Sequence, residues 1–196
     1  MMATIVERFD PVTITNLGVQ MVGDDGTKED GQKFGAAGSV GGETTLREIT
    51  KTEEGIEVAK KVKPQKMDLT VTGHVQVSVL RDIFGFKTDD LKPGVYSYGS
   101  DSKGKRFTLT ADAIDEFEDV TKLMAFPNCT SAIGFVFTIE NGADEVALME
   151  LTLSAYPDDT KQIYYEALID ELDDVTVSDT WHTQFDRTLV ESTATV

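Results

Sequence analysis

The side chains able to do chemistry are few, and their spacing does not suit it. The 196 residues hold two histidines, His74 and His182, and one cysteine, Cys129. Zinc needs three or four Cys, His or carboxylate ligands close together, and nothing here clusters that way. A single cysteine excludes an intramolecular disulfide; in a β-rich chain it reads as a small buried hydrophobe, the alternative being a nucleophile. Carboxylates come in neighbouring pairs, Asp24-Asp25, Asp89-Asp90, Asp158-Asp159 and Asp173-Asp174. A glycosidase sets two carboxylates across a cleft. These pairs sit in turn-like settings, and aromatics are only 8% of the chain. The run GDDGTKEDG from Gly23 lacks the spacing and the closing Glu of a calcium loop. No P-loop, G-x-G-x-x-G or G-x-S-x-G occurs, and SKGK at 102–105 is a lysine-flanked turn rather than a phosphate cradle. The expectation is a protein that is not an enzyme and carries no metal or cofactor.

Bulk properties narrow the remaining classes. Hydrophobic residues make up 40% and charged residues 27%, a globular balance. A chain of this size forms one domain that buries about 70% of its unfolded surface. Acidic residues number 35 against 18 basic, a formal charge of −17. Duplex binders gain affinity by neutralising phosphates with Lys and Arg, so this chain is expected to let nucleic acid pass without holding it. The start, MMATIVERFDPV, has neither the basic nor the apolar region of a signal peptide, and no apolar run approaches the roughly 20 residues of a membrane span. The expectation is synthesis in the cytosol.

Periodicity supplies the elements that must position any functional surface. Residues 12–22 read as a strand, with Gly18 disturbing the register as a bulge would. Residues 23–42 hold many glycines among mixed charges and read as a long mobile loop. Residues 43–50 read as a second strand. In 52–66, Glu53, Glu54 and Glu57 precede Lys60, Lys61, Lys63 and Lys66, an extended hairpin with its charges grouped. Residues 67–75 alternate strictly, with Met67, Leu69, Val71 and Gly73 on one face and His74 on the other. In VSVLRDIFG, Val77, Leu80 and Phe84 form a helical stripe centred on Leu80, and Gly85 suits the residue after the helix. Further strands are expected at 105–113, 131–139, 145–155 and 162–169, the second and third joined through Asn141-Gly142. Residues 114–124 are open between a loop and a helical turn. The tail from Asp170 is polar and acidic, with Trp181 and Phe185 isolated in it. It reads either as a frayed end or as an arm docking its aromatics on a neighbour.

The order of MDLTVTGHV, VLRDIFGF, LKPGVYSYG, SKGKRFTLTAD, KLMAFPN, FTIENGADEVALMELTLSA, YYEAL and WHTQF resembles the major tail protein, or tail-tube protein, of siphophages infecting Gram-positive bacteria, over about residues 43–185. The resemblance implies a mainly β fold of two packed antiparallel sheets, a tail-tube sandwich or barrel, with one flanking short α-helix. It implies a virion structural protein made in the host bacterial cytoplasm. It also implies homo-hexameric rings that stack into a conduit for DNA ejection. The implied partners are further copies of the chain, tail terminator and distal tail proteins, and a tape measure protein in the lumen. Carried onto this sequence, the single domain has a flexible N-terminal arm, the Gly-rich loop 23–42, a stacking loop at 50–66 and a C-terminal arm at 170–196. Glu53, Glu54, Glu57, Lys60, Lys61, Lys63 and Lys66 would form the inter-ring interface. Phe34, Trp181 and Phe185 would anchor the arms on a neighbour.

Two other readings stay open on the sequence. One is the inner tube of a contractile tail, a tailocin or a type VI secretion-like system, which needs an outer face for a sheath. The other is a carbohydrate-binding β-sandwich, which needs exposed coplanar aromatics; Tyr96, Tyr98, Tyr164 and Tyr165 are the clustered candidates.

Overall fold

The computed structural model describes residues 5–139 and 146–192. Its strands are β1 (Thr13–Val22), β2 (Gln32–Lys33), β3 (Gly35–Glu53), β4 (Ile56–Val75), β5 (Arg106–Asp115), β6 (Val120–Ser131), β7 (Met149–Ala155) and β8 (Tyr165–Leu168). Helix α1 (Val77–Phe84) follows β4; a 3-10 turn (Ile169–Glu171) and two short helices, α2 (Thr176–Thr180) and α3 (Arg187–Val190), follow β8. All strand pairs are antiparallel, in the order β2-β1-β5-β6-β7-β4-β3, with β8 also on β6. The fold is therefore mainly β, as the alternation indicates, with α1 on its flank.

The expected pair of sheets is corrected to one sheet. β2 and β3 stand at opposite ends of the strand order, yet only Phe34 separates them in sequence. The Phe34 amide donates to the Leu17 carbonyl at 2.9 Å, and its own carbonyl accepts from the Gln76 amide at 2.8 Å. The two ends thus meet at one residue, and the sheet wraps a single core. Leu17, Val19 and Met21 of β1, Leu69 and Val71 of β4, Phe107 and Leu109 of β5, and Leu151 and Leu153 of β7 fill that core around the Phe34 ring.

Local chemistry explains most elements. The β1–β5 register slips between Thr15 and Gly18, the bulge that Gly18 suggests. In β4 the inward set Leu69, Val71 and Gly73 is buried, while His74 is exposed. Helix α1 ends at Gly85, which sits at φ +68 and directs its amide to the Arg81 and Asp82 carbonyls. The stripe is rotated from the expected one: Val79, Ile83 and Phe84 are buried, Leu80 is only half-buried and Val77 is exposed. A short helix lying across a curved wall turns to the face that fills it best, which three-residue spacing alone does not fix.

Three further expectations are corrected. Residues 23–42 are not a long loop. A tight turn, closed by Gly23 N–H to the Thr27 carbonyl at 2.8 Å, leads into β2 and then β3. Residues 114–124 are neither loop nor helical turn as a whole; they span the end of β5, a short turn and the start of β6. Pro127 obscured this strand. It lies where the β5–β6 register shifts, and Thr108 Oγ1 donates to its carbonyl at 3.0 Å, so the missing N–H is accommodated at an irregularity. Beyond this point β6 exchanges its partner β8 for β7. Finally, residues 132–139 form no strand, and β7 begins only at Met149; the expected Asn141-Gly142 turn lies outside the described residues.

Truncation in α1 separates the two assignments of its stripe. Ile83→Ala is expected to destabilise by about 2–5 kcal/mol, and Leu80→Ala by clearly less, in chemical denaturation. Equal losses would return the anchor to Leu80.

The β5–β6 turn gives a pH-dependent expectation. Asp115 accepts the amide of Asp10 at 2.7 Å and those of Phe117 at 2.9 Å and Glu118 at 3.3 Å. The Asp10 bond is the largest cause holding its carboxyl below the ordinary range, helped by the other two amides and the Arg8 charge against the desolvation of the site. A depressed folded-state pKa gives stability that is full above the unfolded value of about 3.9 and is lost as pH falls through the folded value. Hydrogen exchange at Asp10, Phe117 and Glu118 should accelerate in that acid window, and Asp115→Asn should remove the pH dependence. Protection unchanged down to acid unfolding would refute this.

Candidate assembly interface

β3 and β4 pair from Gly35↔Val75 out to Glu53↔Ile56. Only the root of this hairpin contributes to the core, through Val40, Met67, Leu69 and Val71. Every residue from 46 to 65 is exposed. At about 3.3 Å per residue, the β3 half of this arm extends roughly 25 Å. The arm turns at Glu54 and Gly55, both with positive φ (+53 and +81), the backbone of a tight two-residue hairpin turn. The expected stacking loop 50–66 is thus the distal end of a strand hairpin, and the projecting part begins near Leu46.

The predicted interface residues divide along it. Glu53, Glu54 and Glu57 form an acidic tip, and Lys60, Lys61 and Lys63 lie on the stem. Lys66 is corrected: it sits half-buried at the root, with Nζ 2.6 Å from Asp68 Oδ1. That carboxylate oxygen also accepts from Ser154 Oγ at 2.8 Å, so Lys66 ties β4 to β7 rather than presenting charge. Opposed residues of an antiparallel pair share a face. One face of the stem carries Arg47↔Lys63, Ile49↔Lys61 and Lys51↔Ala59; the other carries Leu46↔Pro64, Glu48↔Val62 and Thr50↔Lys60. Leu46, Ile49, Ile56, Val58 and Val62 are exposed apolar side chains that charge counting passed over. The available signal was apolar spacing continuing past the last residue the core could take.

A second exposed apolar surface lies beside β7. Ile133, Val136, Phe137, Val146 and Leu148 are all exposed. Ala132 donates to the Thr152 carbonyl at 2.9 Å, and no further strand pairing follows among the described residues to Ile139.

Phe34, Trp181 and Phe185 are corrected as arm anchors, because each is buried within its own chain. Phe34 is in the barrel core, and Trp181 and Phe185 form a second cluster with Leu123 and Ala125 on the outer side of β6. The rings of Trp181 and Phe185 meet edge to face at 4.8 Å, and Trp181 Nε1 donates to the Met124 carbonyl at 3.1 Å. The C-terminal segment is therefore a lid on the barrel. His182 fastens it: one ring nitrogen is 2.9 Å from Thr110 Oγ1, the other 2.9 Å from Asp112 Oδ1, and Asn16 Nδ2 donates to Asp112 Oδ2 at 2.6 Å. Gly31, in the segment expected to be loose, donates to the Thr183 carbonyl at 2.7 Å. A Cβ at Gly31 would lie 2.0 Å from the His182 carbonyl, so glycine permits the contact. Lys28 Nζ adds a bond to the Phe185 carbonyl at 2.8 Å. The two segments that look disordered in sequence hold each other.

Two of the groups with chemical potential have structural settings. Cys129 is fully buried in the barrel core, and desolvation pushes its thiol up to about 12. Asp158 organises its turn, accepting from the Thr160 amide at 2.8 Å and Tyr165 Oη at 2.6 Å. Among the described residues, no three His, Cys, Asp or Glu side chains converge as metal ligands. The four tyrosines do not make one platform. Tyr96 lies over the Arg81 guanidinium at 3.5 Å and Tyr98 stacks on Phe86, whereas Tyr164 packs on Phe126 and Tyr165 on Phe185.

No protein-family profile and no curated protein sequence matches the chain. Among solved structures it is similar to the anti-feeding prophage cap, a tube-terminating cap seen by cryo-electron microscopy. The identity is 12% and the TM-score 0.47, over 84% of this chain and 95% of that one.

The lid yields a direct expectation, since Trp181 is the sole tryptophan. Gly31→Val should loosen the lid and shift Trp181 emission to longer wavelength, and Phe185→Ala should cost about 3–5 kcal/mol. Unchanged emission in the Gly31 variant would show that the contact does not hold the lid.

Proposed function

We propose that this chain is a structural subunit of a phage-type tail tube, assembling head to tail with copies of itself into stacked rings. The observation that carries the reading is the β3–β4 arm. A two-stranded ribbon alone is marginally stable in water. This one is exposed from 46 to 65 and displays five large exposed apolar side chains. Such a ribbon with open backbone edges is suited to pairing with another molecule. The exposed apolar residues beside β7 offer a second contact surface, and a heterologous contact that closes by rotation gives a ring. The sequence resemblance to siphophage tail-tube proteins supplies the six-fold ring and the role in DNA ejection. The charge of −17 suits a conduit wall that repels passing phosphates.

Electron microscopy of concentrated protein tests this reading. Rings or tubes are expected, and a protein that stays monomeric at every concentration reached contradicts it. Replacing 46–63 by a short Gly/Ser turn should leave a folded, monodisperse monomer by circular dichroism and sedimentation, because the arm gives nothing to the core. Tubes of normal length from that variant would remove the arm from the assembly mechanism.

A further inference from the structure

The stem of the arm has an electrostatic imbalance that no ion pair among the described residues resolves. Residues 46–65 carry five of the 18 basic residues and four of the 35 acidic ones, a net +1 against −18 for the rest of the chain. The imbalance is sharper by face. On one face Lys60 is neutralised by Glu48 at 2.6 Å. On the other, Lys51 pairs with Glu53, while Arg47, Lys61 and Lys63 make no ion pair among the described residues. Arg47 stands directly opposite Lys63 in the register, and Lys61 is diagonal to Arg47. Like charges directly opposed across a strand pair destabilise it, so this face needs anions.

We infer that this cationic face, with Ile49 at its centre, docks on the C-terminal lid of a second copy of the chain. The lid carries a dense exposed run of negative charge: Asp170, Glu171, Asp173 and Asp174 fall within five residues, and all four are exposed. Arg187 is the single Lys or Arg from 170 to 192. The surface is also concave. A groove of about 690 Å³ runs between β8 and the lid helices, lined by Leu172, Val177 and Leu189, by Asp173 and Asp174, and by Arg187 paired with Glu191 at 4.0 Å. Its apolar lining, with the exposed Asp173 and Asp174 at one end and Arg187 already paired to Glu191, matches an isoleucine flanked by two lysines and an arginine. The arm and the lid are different surfaces of one chain, so the contact is heterologous and each copy offers both halves. The inference rests on the tube reading and specifies its contact.

Charge reversal tests it. Lys61→Glu with Lys63→Glu alters only exposed arm residues, and the second change sets a carboxylate opposite Arg47 in place of a like charge. Asp170→Lys with Asp173→Lys alters exposed lid residues whose side chains make no hydrogen bond among the described residues. Both double variants should keep the wild-type melting temperature. Each should raise the protein concentration needed for assembly by about tenfold or more, as sedimentation reads it, and the chain carrying both reversals should recover assembly. Wild-type assembly should weaken with added salt, which screens exposed charges. If the arm reversal blocks assembly while the lid reversal does not, the lid is not the partner and the inference fails with the tube reading intact. Failure of the combined chain to recover, when both single reversals block, overturns the pairing in the same way. Wild-type protein that never self-associates removes the tube reading and this contact together.

Discussion

Closure of the sheet at Phe34 is the constraint on which the rest of the structure depends. An open sheet of this length would expose backbone at both ends. Here the two ends are one chain segment, and the Phe34 ring enters the core at the join. Its backbone links β1 to the start of α1 through Leu17 and Gln76. That fixes where β3 begins, and so where the β3–β4 hairpin leaves the body. Because β3 and β4 are far longer than the barrel is tall, their distal halves have nothing of their own to cover. The arm follows from the closure.

The lid depends on the same geometry from the other side. Strand β6 passes from β8 to β7 across the register shift at Pro127, and the outer side of its first half faces away from the barrel core. Leu123 and Ala125 on that side need cover, and Trp181 and Phe185 supply it. The Asp112 carboxylate, nearly inaccessible in the β5 wall, is satisfied by Asn16 and His182 together. A buried carboxylate without such partners would be costly, so this polar contact fixes the lid's position as its aromatics fix its depth. One result is that the acidic run of 170–174 is held on a folded surface rather than on a free tail. A fixed surface can present charge in register to a neighbour at a lower ordering cost than a disordered one.

What the sequence by itself determined is what depends on neighbours a few positions away. Alternation in 67–75 gave β4 its inward face, Gly18 its bulge, and Gly85 the end of α1 through its left-handed φ. The acidic and basic grouping of 53–63 marked the projecting hairpin, although it passed over Ile56, Val58 and Val62 between the charges. What only the tertiary structure decided is what depends on distant partners. The glycines of 31–42 read as a mobile loop, yet Gly31 serves close approach to His182, and Gly35 admits the backbone of His74. Glycine is the signature of both disorder and tight packing, and local sequence does not separate them. Trp181 and Phe185 looked like anchors for a neighbour because the residues around them are polar; their partners, Leu123 and Met124, lie in a strand whose proline hid it. The single sheet in place of two has the same origin. Which edges meet is settled by hydrogen bonds between segments remote in the chain, and periodicity, which records only the face a residue turns, carries no information about them.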